Sequence, residues 1–115
     1  MFPYWEQIKI IHTFTLSVVR VIAKKTLKLF WEKHKGCEQQ LKTWYEEVSN
    51  ANWEIPKDIK EKYPSASFLA NNRVVFNIKG NTYRLIVRIN YKYKMVWVRF
   101  IGTHAEYDKI DANNI

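Results

Sequence analysis

The sequence predicts one α+β domain, in which an N-terminal strand and a helical hairpin pack on a small, mainly antiparallel β-sheet and a short helix ends the chain. Of the 115 residues, 47% are hydrophobic and 16% are aromatic, which is enough apolar material for one modest core. Apolar residues recur at helical spacing in the first half and at alternate positions in the second half. This change of period predicts helices first and strands afterwards.

The first predicted elements are a strand and two helices. Val18–Ala23 is rich in β-branched residues, which favours a strand. Lys24–Lys35 carries an apolar stripe at helical spacing, and Gly36 is placed to end that helix. A second stripe predicts a helix over Cys37–Val48, which pairs with the first as a helical hairpin.

The second half predicts a short helix, a loop, three strands and a final helix. Pro56 opens a helical turn that cannot continue to Pro64, and a loop then runs to Asn72. Gly80-Asn81 is a two-residue hairpin signal between the first two of these strands. The strands and the final helix are predicted at Arg73–Ile78, Tyr83–Asn90, Met95–Ile101 and His104–Ile110.

Residues 1–18 are predicted to be an N-terminal extension, and residues 19–115 the domain. The extension is apolar, but Glu6 and Lys9 interrupt it and its start is not basic, so it matches neither a signal peptide nor a membrane span. The single cysteine, Cys37, cannot form an internal disulfide, which favours a cytoplasmic protein.

Basic residues are concentrated in a stretch without Asp or Glu. The chain has 19 Lys and Arg against 11 Asp and Glu, and eight of the basic residues lie in residues 62–105. Because phosphate contacts supply most of the affinity of proteins for nucleic acids, this segregation predicts a polyanion-binding surface.

Strand alternation places the arginines on one face of the predicted sheet. If the apolar positions face the helices, Val98 and Phe100 point inward, whereas Ile101 shares the outward phase. A basic face results, which carries Arg73, Arg84, Arg88, Arg99 and Trp97. A face that serves only solubility normally mixes both signs of charge, so binding is the favoured interpretation.

Two segments resemble the HigB toxins of bacterial type II toxin–antitoxin modules, in the RelE/ParE-like superfamily. One is RVVFNIKGNTYRLIVRINYKYKMVWVRFIGTHAEYDKID, over Arg73–Asp111, and the other is VRVIAKKTLKLFWEKH near the start. The resemblance covers about residues 19–115. It implies a RelE-like fold and an endoribonuclease that cuts messenger RNA, usually on the translating ribosome. It also implies a helix-turn-helix antitoxin of the HigA type as partner.

RNA cleavage of this kind needs a base, an acid and cations, and it needs no metal because the RNA 2′-OH is the nucleophile. Arg84, Arg88 and Arg99 are the predicted phosphate clamp, since arginine presents a fixed fork of donors. The dispersed histidines and the absence of carboxylates in the basic strands predict no metal site and no cofactor.

His104 is the histidine next to the basic strands, and we predict that it acts as general base or acid. Tyr107, one helical turn away, is the second catalytic candidate. Arg73 and Lys92 are predicted to bind the RNA backbone, and Trp97 to stack on a base. The structural alternatives are that His104 caps the final helix and that Tyr107 packs on the sheet.

Two other functions fit the same residues. A basic sheet can bind nucleic acid or an acidic protein without any chemistry, and the ParE branch of the superfamily poisons gyrase. The fold by itself does not decide between them.

Overall fold

A computed structural model of the protein describes residues 19–115, and the extension predicted at residues 1–18 lies outside the described residues. The strands form one sheet in the order β1-β5-β4-β3-β2, in which β1 runs parallel to β5 and the other three pairs are antiparallel. The predicted α+β class is confirmed. The elements are β1 (Arg20–Ile22), α1 (Lys24–Lys33), α2 (Glu38–Ser49), α3 (Pro56–Lys62), β2 (Ser67–Leu69), β3 (Arg73–Ile78), β4 (Tyr83–Asn90), β5 (Met95–Thr103) and α4 (His104–Tyr107).

The core lies between the helical hairpin and one face of the sheet. Leu27 of α1 and Leu41 of α2 are fully buried, as are Leu85 and Val87 of β4. Full burial of such a side chain contributes about 1.5–3 kcal/mol. Because a helix of ten residues is marginal alone in water, this packing stabilises the hairpin more than helix propensity does. None of the helices in residues 19–115 has the length and hydrophobicity needed to span a bilayer.

Two predicted turns differ in the structure. α1 ends at Lys33, because His34 leaves the helical conformation and stacks on Phe30, with ring centroids 4.3 Å apart. Gly36 lies instead in a 3₁₀ turn over Lys35–Cys37. The β3–β4 connection is a four-residue loop over residues 79–82, not a two-residue turn, because Ile78 pairs with Tyr83.

β2 is a strand that the sequence analysis assigned to a loop. Its three residues are too few to show a period of two. Asn71 and Asn72 connect it to β3 with φ angles of 59° and 60°, a hairpin conformation that asparagine tolerates. The Arg73 backbone N–H donates to the Ala70 carbonyl at 3.3 Å and closes this turn.

A β-bulge in β5 reverses the predicted phase of the end of that strand. Val98 pairs with Val87 but Phe100 pairs with Ile86, so Arg99 is an extra residue without a direct partner on β4. Ile101 therefore packs against the core, and Phe100 lies on the opposite face. The inward position predicted for Phe100 and the outward position predicted for Ile101 are both wrong.

Candidate nucleic-acid interface and active site

The first group of predicted site residues forms a cleft on the outer face of the sheet, which we call the arginine cleft. Arg88 of β4 lies opposite Trp97 of β5 in the ladder, and the exposed Arg99 completes the group. The cleft has a volume of about 250 Å³ and a mostly polar lining. Its lining residues are Asn72, Arg88, Ile89, Asn90, Trp97 and Arg99.

The β5 bulge is the local feature that positions Arg99 in this cleft. Bulges bend a strand and redirect a side chain, and they are frequent beside functional sites. Since the bulge falls at Arg99, the residues before it keep Trp97 on the outer face, while the residues after it turn Ile101 inward. One irregularity therefore gives β5 both a cleft side chain and a core side chain.

Arg84 lies in a second group, at the other end of β4. Its guanidinium donates to the Asn81 backbone carbonyl at 3.1 Å and to Asn81 Oδ1 at 2.6 Å. Its Cζ atom lies 5.7 Å from the centroid of the Tyr107 ring. The side chain is only 9% exposed, so its charge is held in place and is partly shielded from water, which strengthens its field.

Arg73 and Lys92 are not among the lining residues of the arginine cleft, although Arg73 lies directly opposite Arg88 in the β3–β4 ladder. Arg73 is 9% exposed, and its Nε donates to the Ile115 backbone oxygen at 2.8 Å. Lys92 is exposed in the β4–β5 turn, with its ammonium 5.4 Å from the centroid of the Tyr93 ring. The described structure thus presents Lys92 to solvent and engages Arg73 with the C-terminal segment.

The outer face of the sheet is less open than the sequence predicted. Val75 and Ile86 belong to this face, yet they are 3% and 0% exposed. α4 packs on β4 and β5, and the Ala70 N–H donates to Asn113 Oδ1 at 3.1 Å. The C-terminal segment therefore covers part of the face and leaves the arginine cleft accessible.

His104 is positioned by the first turn of α4. Its backbone N–H donates to the Thr82 carbonyl at 3.1 Å, and its side chain is 45% exposed. Thr103 caps the helix, because its hydroxyl accepts from the Glu106 N–H while its own N–H donates to the Glu106 carboxylate at 2.8 Å. The latter bond lowers the pKa of Glu106. The alternative that His104 caps the final helix is therefore wrong.

Asp108, which the sequence analysis did not name as a site residue, lies beside His104. Its Oδ2 lies 3.0 Å from His104 Nδ1, one helical turn away. The spacing of four residues was the available signal, since residues at that spacing are neighbours on a helix surface. A carboxylate at Nδ1 orients the imidazole and leaves Nε2 free to face a substrate.

The two groups lie at opposite ends of the outer face. Arg84 and Arg88 are four residues apart on β4, which corresponds to roughly 13 Å along a strand. Arg84 pairs with Gly102, two residues before His104. The structure therefore places His104, Tyr107 and Arg84 at one end, and Arg88, Trp97 and Arg99 toward the other. Within residues 19–115, no three His, Cys, Asp or Glu side chains lie close enough to share a metal ion.

Comparison with known proteins identifies the family of this chain. Residues 37–110 match the family described as HigB toxin, RelE-like toxic component of a toxin-antitoxin system. The chain belongs to the HigB toxin family. The matched residues include β2 to β5 and all of α4, and so both groups of the site.

Similar HigB proteins come from enteric bacteria. The mRNA interferase HigB of Escherichia coli O6:H1 is 27% identical over 94 residues, which cover 80% of this chain and 91% of that protein. The mRNA interferase toxin HigB of E. coli K12 is 25% identical over 96 residues, covering 82% of this chain and 92% of that protein. The mRNA interferase HigB of Shigella flexneri matches with the same figures.

Proposed function

We propose that this chain is the toxin of a type II toxin–antitoxin module and acts as a metal-independent endoribonuclease on messenger RNA. The observation that carries the proposal is the His104–Asp108 pair at one end of a face that also holds Arg84 and the arginine cleft. The names of the similar proteins, which call them mRNA interferases, support the same activity.

In the proposed reaction, the 2′-oxygen of the RNA attacks the adjacent phosphorus and the bond from phosphorus to the 5′-oxygen breaks. His104 Nε2 takes the proton from the 2′-OH, and the Tyr107 hydroxyl supplies a proton to the departing 5′-oxygen. Arg84, which lies at the His104 end of the face, stabilises the negative charge that develops on the phosphate oxygens. Arg88 and Arg99, toward the other end, clamp neighbouring phosphates and so hold the RNA in register for cleavage. Asp108 holds the imidazole in the orientation that this transfer requires.

The remaining predicted residues bind RNA beyond the reacting phosphate. Trp97 stacks on a base next to the clamp, and Lys92 contacts the backbone from the exposed turn. Arg73 takes this role when the C-terminal segment releases it, because its Nε is engaged there. The substrate is messenger RNA on the ribosome, the compartment is the cytoplasm, and the neutralising partner is a HigA-like helix-turn-helix antitoxin.

Expression without antitoxin tests this proposal. We expect induction of residues 19–115 in bacteria to arrest growth and to produce new transcript ends inside translated messages, mapped at nucleotide resolution. The His104→Gln variant is the matched control and should produce far fewer ends. A second experiment combines purified toxin with ribosomes and removes transition metals with a chelator. Cleavage that continues under these conditions supports a mechanism that does not use such metals. Intact transcripts together with gyrase-dependent DNA damage would indicate a ParE-like poison instead.

A further inference from the structure

Half of the outer edge of β3 is not covered by β2. β2 pairs Ser67 with Val75 and Leu69 with Arg73, and its pairing ends there. Within residues 19–115, no strand neighbours the Phe76–Ile78 part of β3 on that side. An uncovered edge presents backbone donors and acceptors to which another extended chain can bind.

The ladder shows which backbone groups face outward at this edge. The Ile89 N–H donates to the Asn72 carbonyl at 2.9 Å, which makes residues 72 and 89 a hydrogen-bonded pair. Such pairs alternate in an antiparallel ladder, so Phe76 and Ile78 direct their backbone groups to β4. The N–H and C=O of Asn77 then point away from the sheet.

A pocket lies beside this edge, between β3 and α2. It has a volume of about 280 Å³, a mostly apolar lining, and walls that include Trp44, Tyr63 and Phe76. The Trp44 indole N–H is buried and has no acceptor within residues 19–115. Buried polar groups of proteins nearly always have a hydrogen-bond partner, so this donor is available to a bound chain. Lys79 lies at the β3 end of the pocket.

We propose that this edge and pocket bind an extended segment of the antitoxin, which adds a strand to β3 beyond the end of β2. The inference rests on the proposed function, since it assumes an antitoxin partner. The segment residue opposite Asn77 exchanges two backbone hydrogen bonds with it. The next residue points to the helical side of the sheet and places a large apolar side chain in the pocket.

Charge and topology favour the antitoxin over the chain's own extension. The chain carries a net charge of +8, and Lys79 borders the pocket, whereas Glu47, the acidic residue of the lining, accepts a hydrogen bond from the Tyr63 hydroxyl at 2.7 Å. A segment with a carboxylate near its apolar residue, placed at the Lys79 end, is therefore complementary. Val19 leads into β1, which is at the opposite edge of the sheet from β2 and β3. Binding by that extension is an outcome that the experiment distinguishes.

The sharpest test uses the Asn77 backbone. Asn77→Pro removes the outward N–H without removing a bond to β4, whereas Asn77→Ala retains the N–H and serves as the matched control. With the antitoxin encoded beside the toxin gene as the probe, we expect the proline variant to bind about tenfold more weakly or worse, and the alanine variant to bind like the parent. Equal binding by the parent and a folded proline variant overturns the proposal.

Hydrogen exchange on the unmodified protein gives a second test, which does not depend on a variant that folds. The Asn77 amide should exchange rapidly in the free toxin and become protected in the complex. An amide that stays unprotected in the complex overturns strand addition but leaves the antitoxin partnership intact. If the Asn77 amide is protected in the free chain and loses this protection when residues 1–18 are removed, the extension occupies the edge. This result also overturns the proposal that the antitoxin binds there.

The pocket has its own pair of variants. Thr43 is exposed on α2 at the pocket, and Thr26 is exposed on α1 away from it. Thr43→Arg should weaken antitoxin binding about tenfold because it obstructs the pocket, and Thr26→Arg should not. Equal effects of the two variants contradict the pocket, and failure of the parent to bind the antitoxin contradicts both this inference and the proposed partner.

Discussion

The Nδ1 atom of His104 lies 3.0 Å from the carboxylate of Asp108, one turn further along α4. A carboxylate accepts from Nδ1–H, so the neutral imidazole keeps Nε2 as the proton acceptor. In the proposed mechanism, this relationship makes Asp108 the residue that positions the His104 imidazole.

His104 and Asp108 should separate catalysis from binding. We expect His104→Gln to lower the single-turnover cleavage rate by about 10²- to 10⁴-fold while RNA affinity stays close to that of the parent. Asp108→Asn should lower kcat by a smaller factor, with KM and melting temperature unchanged. If His104→Gln cleaves RNA at the rate of the parent protein, His104 does not transfer a proton. Tyr107 would then carry out the proton transfer, or the arginines alone would account for catalysis.

Arg88 and Arg99 should contribute phosphate contacts, and their loss should appear in the salt dependence of RNA binding. Each alanine variant should reduce the slope of log affinity against log salt by about one contact and should also slow cleavage. Arg99→Lys keeps the charge but loses the planar fork, so it should recover affinity more than rate. Slopes identical to that of the parent would show that neither arginine meets a phosphate.

Trp97 should stack on a base. Trp97→Ala removes a contact worth about 1–3 kcal/mol, which corresponds to roughly 5- to 150-fold weaker binding of single-stranded RNA. Trp97→Phe keeps an aromatic face and should retain most of the affinity. Equal losses in the two variants, measured by fluorescence titration at fixed salt, would contradict stacking.

Acid should destabilise α4 through Glu106. The Thr103 N–H holds the pKa of Glu106 below its usual 4.5, so the folded state favours the ionised carboxylate. The stabilisation is complete above that usual value and is lost as the pH falls through the lowered pKa. Glu106→Gln should therefore reduce the melting temperature at neutral pH more than at pH 3. A difference between the two proteins that does not change with pH would contradict this assignment.

Removal of residues 1–18 tests the proposed domain boundary. We expect residues 19–115 alone to melt close to the full chain and to bind antitoxin equally well, because these residues contain a contiguous buried core that joins the helices to the sheet. A large fall in melting temperature would mean that Trp5, Ile8 and Ile11 belong to the core.

The sequence predicted most helices and strands because their signals are local. An apolar stripe at helical spacing identified α1 and α2, and alternation identified β3 and β4. β2 was missed because three residues carry no period, and the end of β5 was assigned to the wrong phase because a bulge depends on pairing with Ile86 and Val87.

For the site, the sequence by itself determined which residue types are present, namely the segregated arginines and one histidine beside them. It also determined the resemblance to HigB toxins. Tertiary structure decided which of them meet. It separated Arg84 and Tyr107 from the arginine cleft and engaged Arg73 with the C-terminal segment. Among residues 19–115, it also left part of the β3 edge without a neighbouring strand. The physical reason is the sequence distance over which each feature is determined. Periodicity reflects backbone geometry over a few residues, whereas register, bulges and segment packing depend on contacts between residues far apart in the chain.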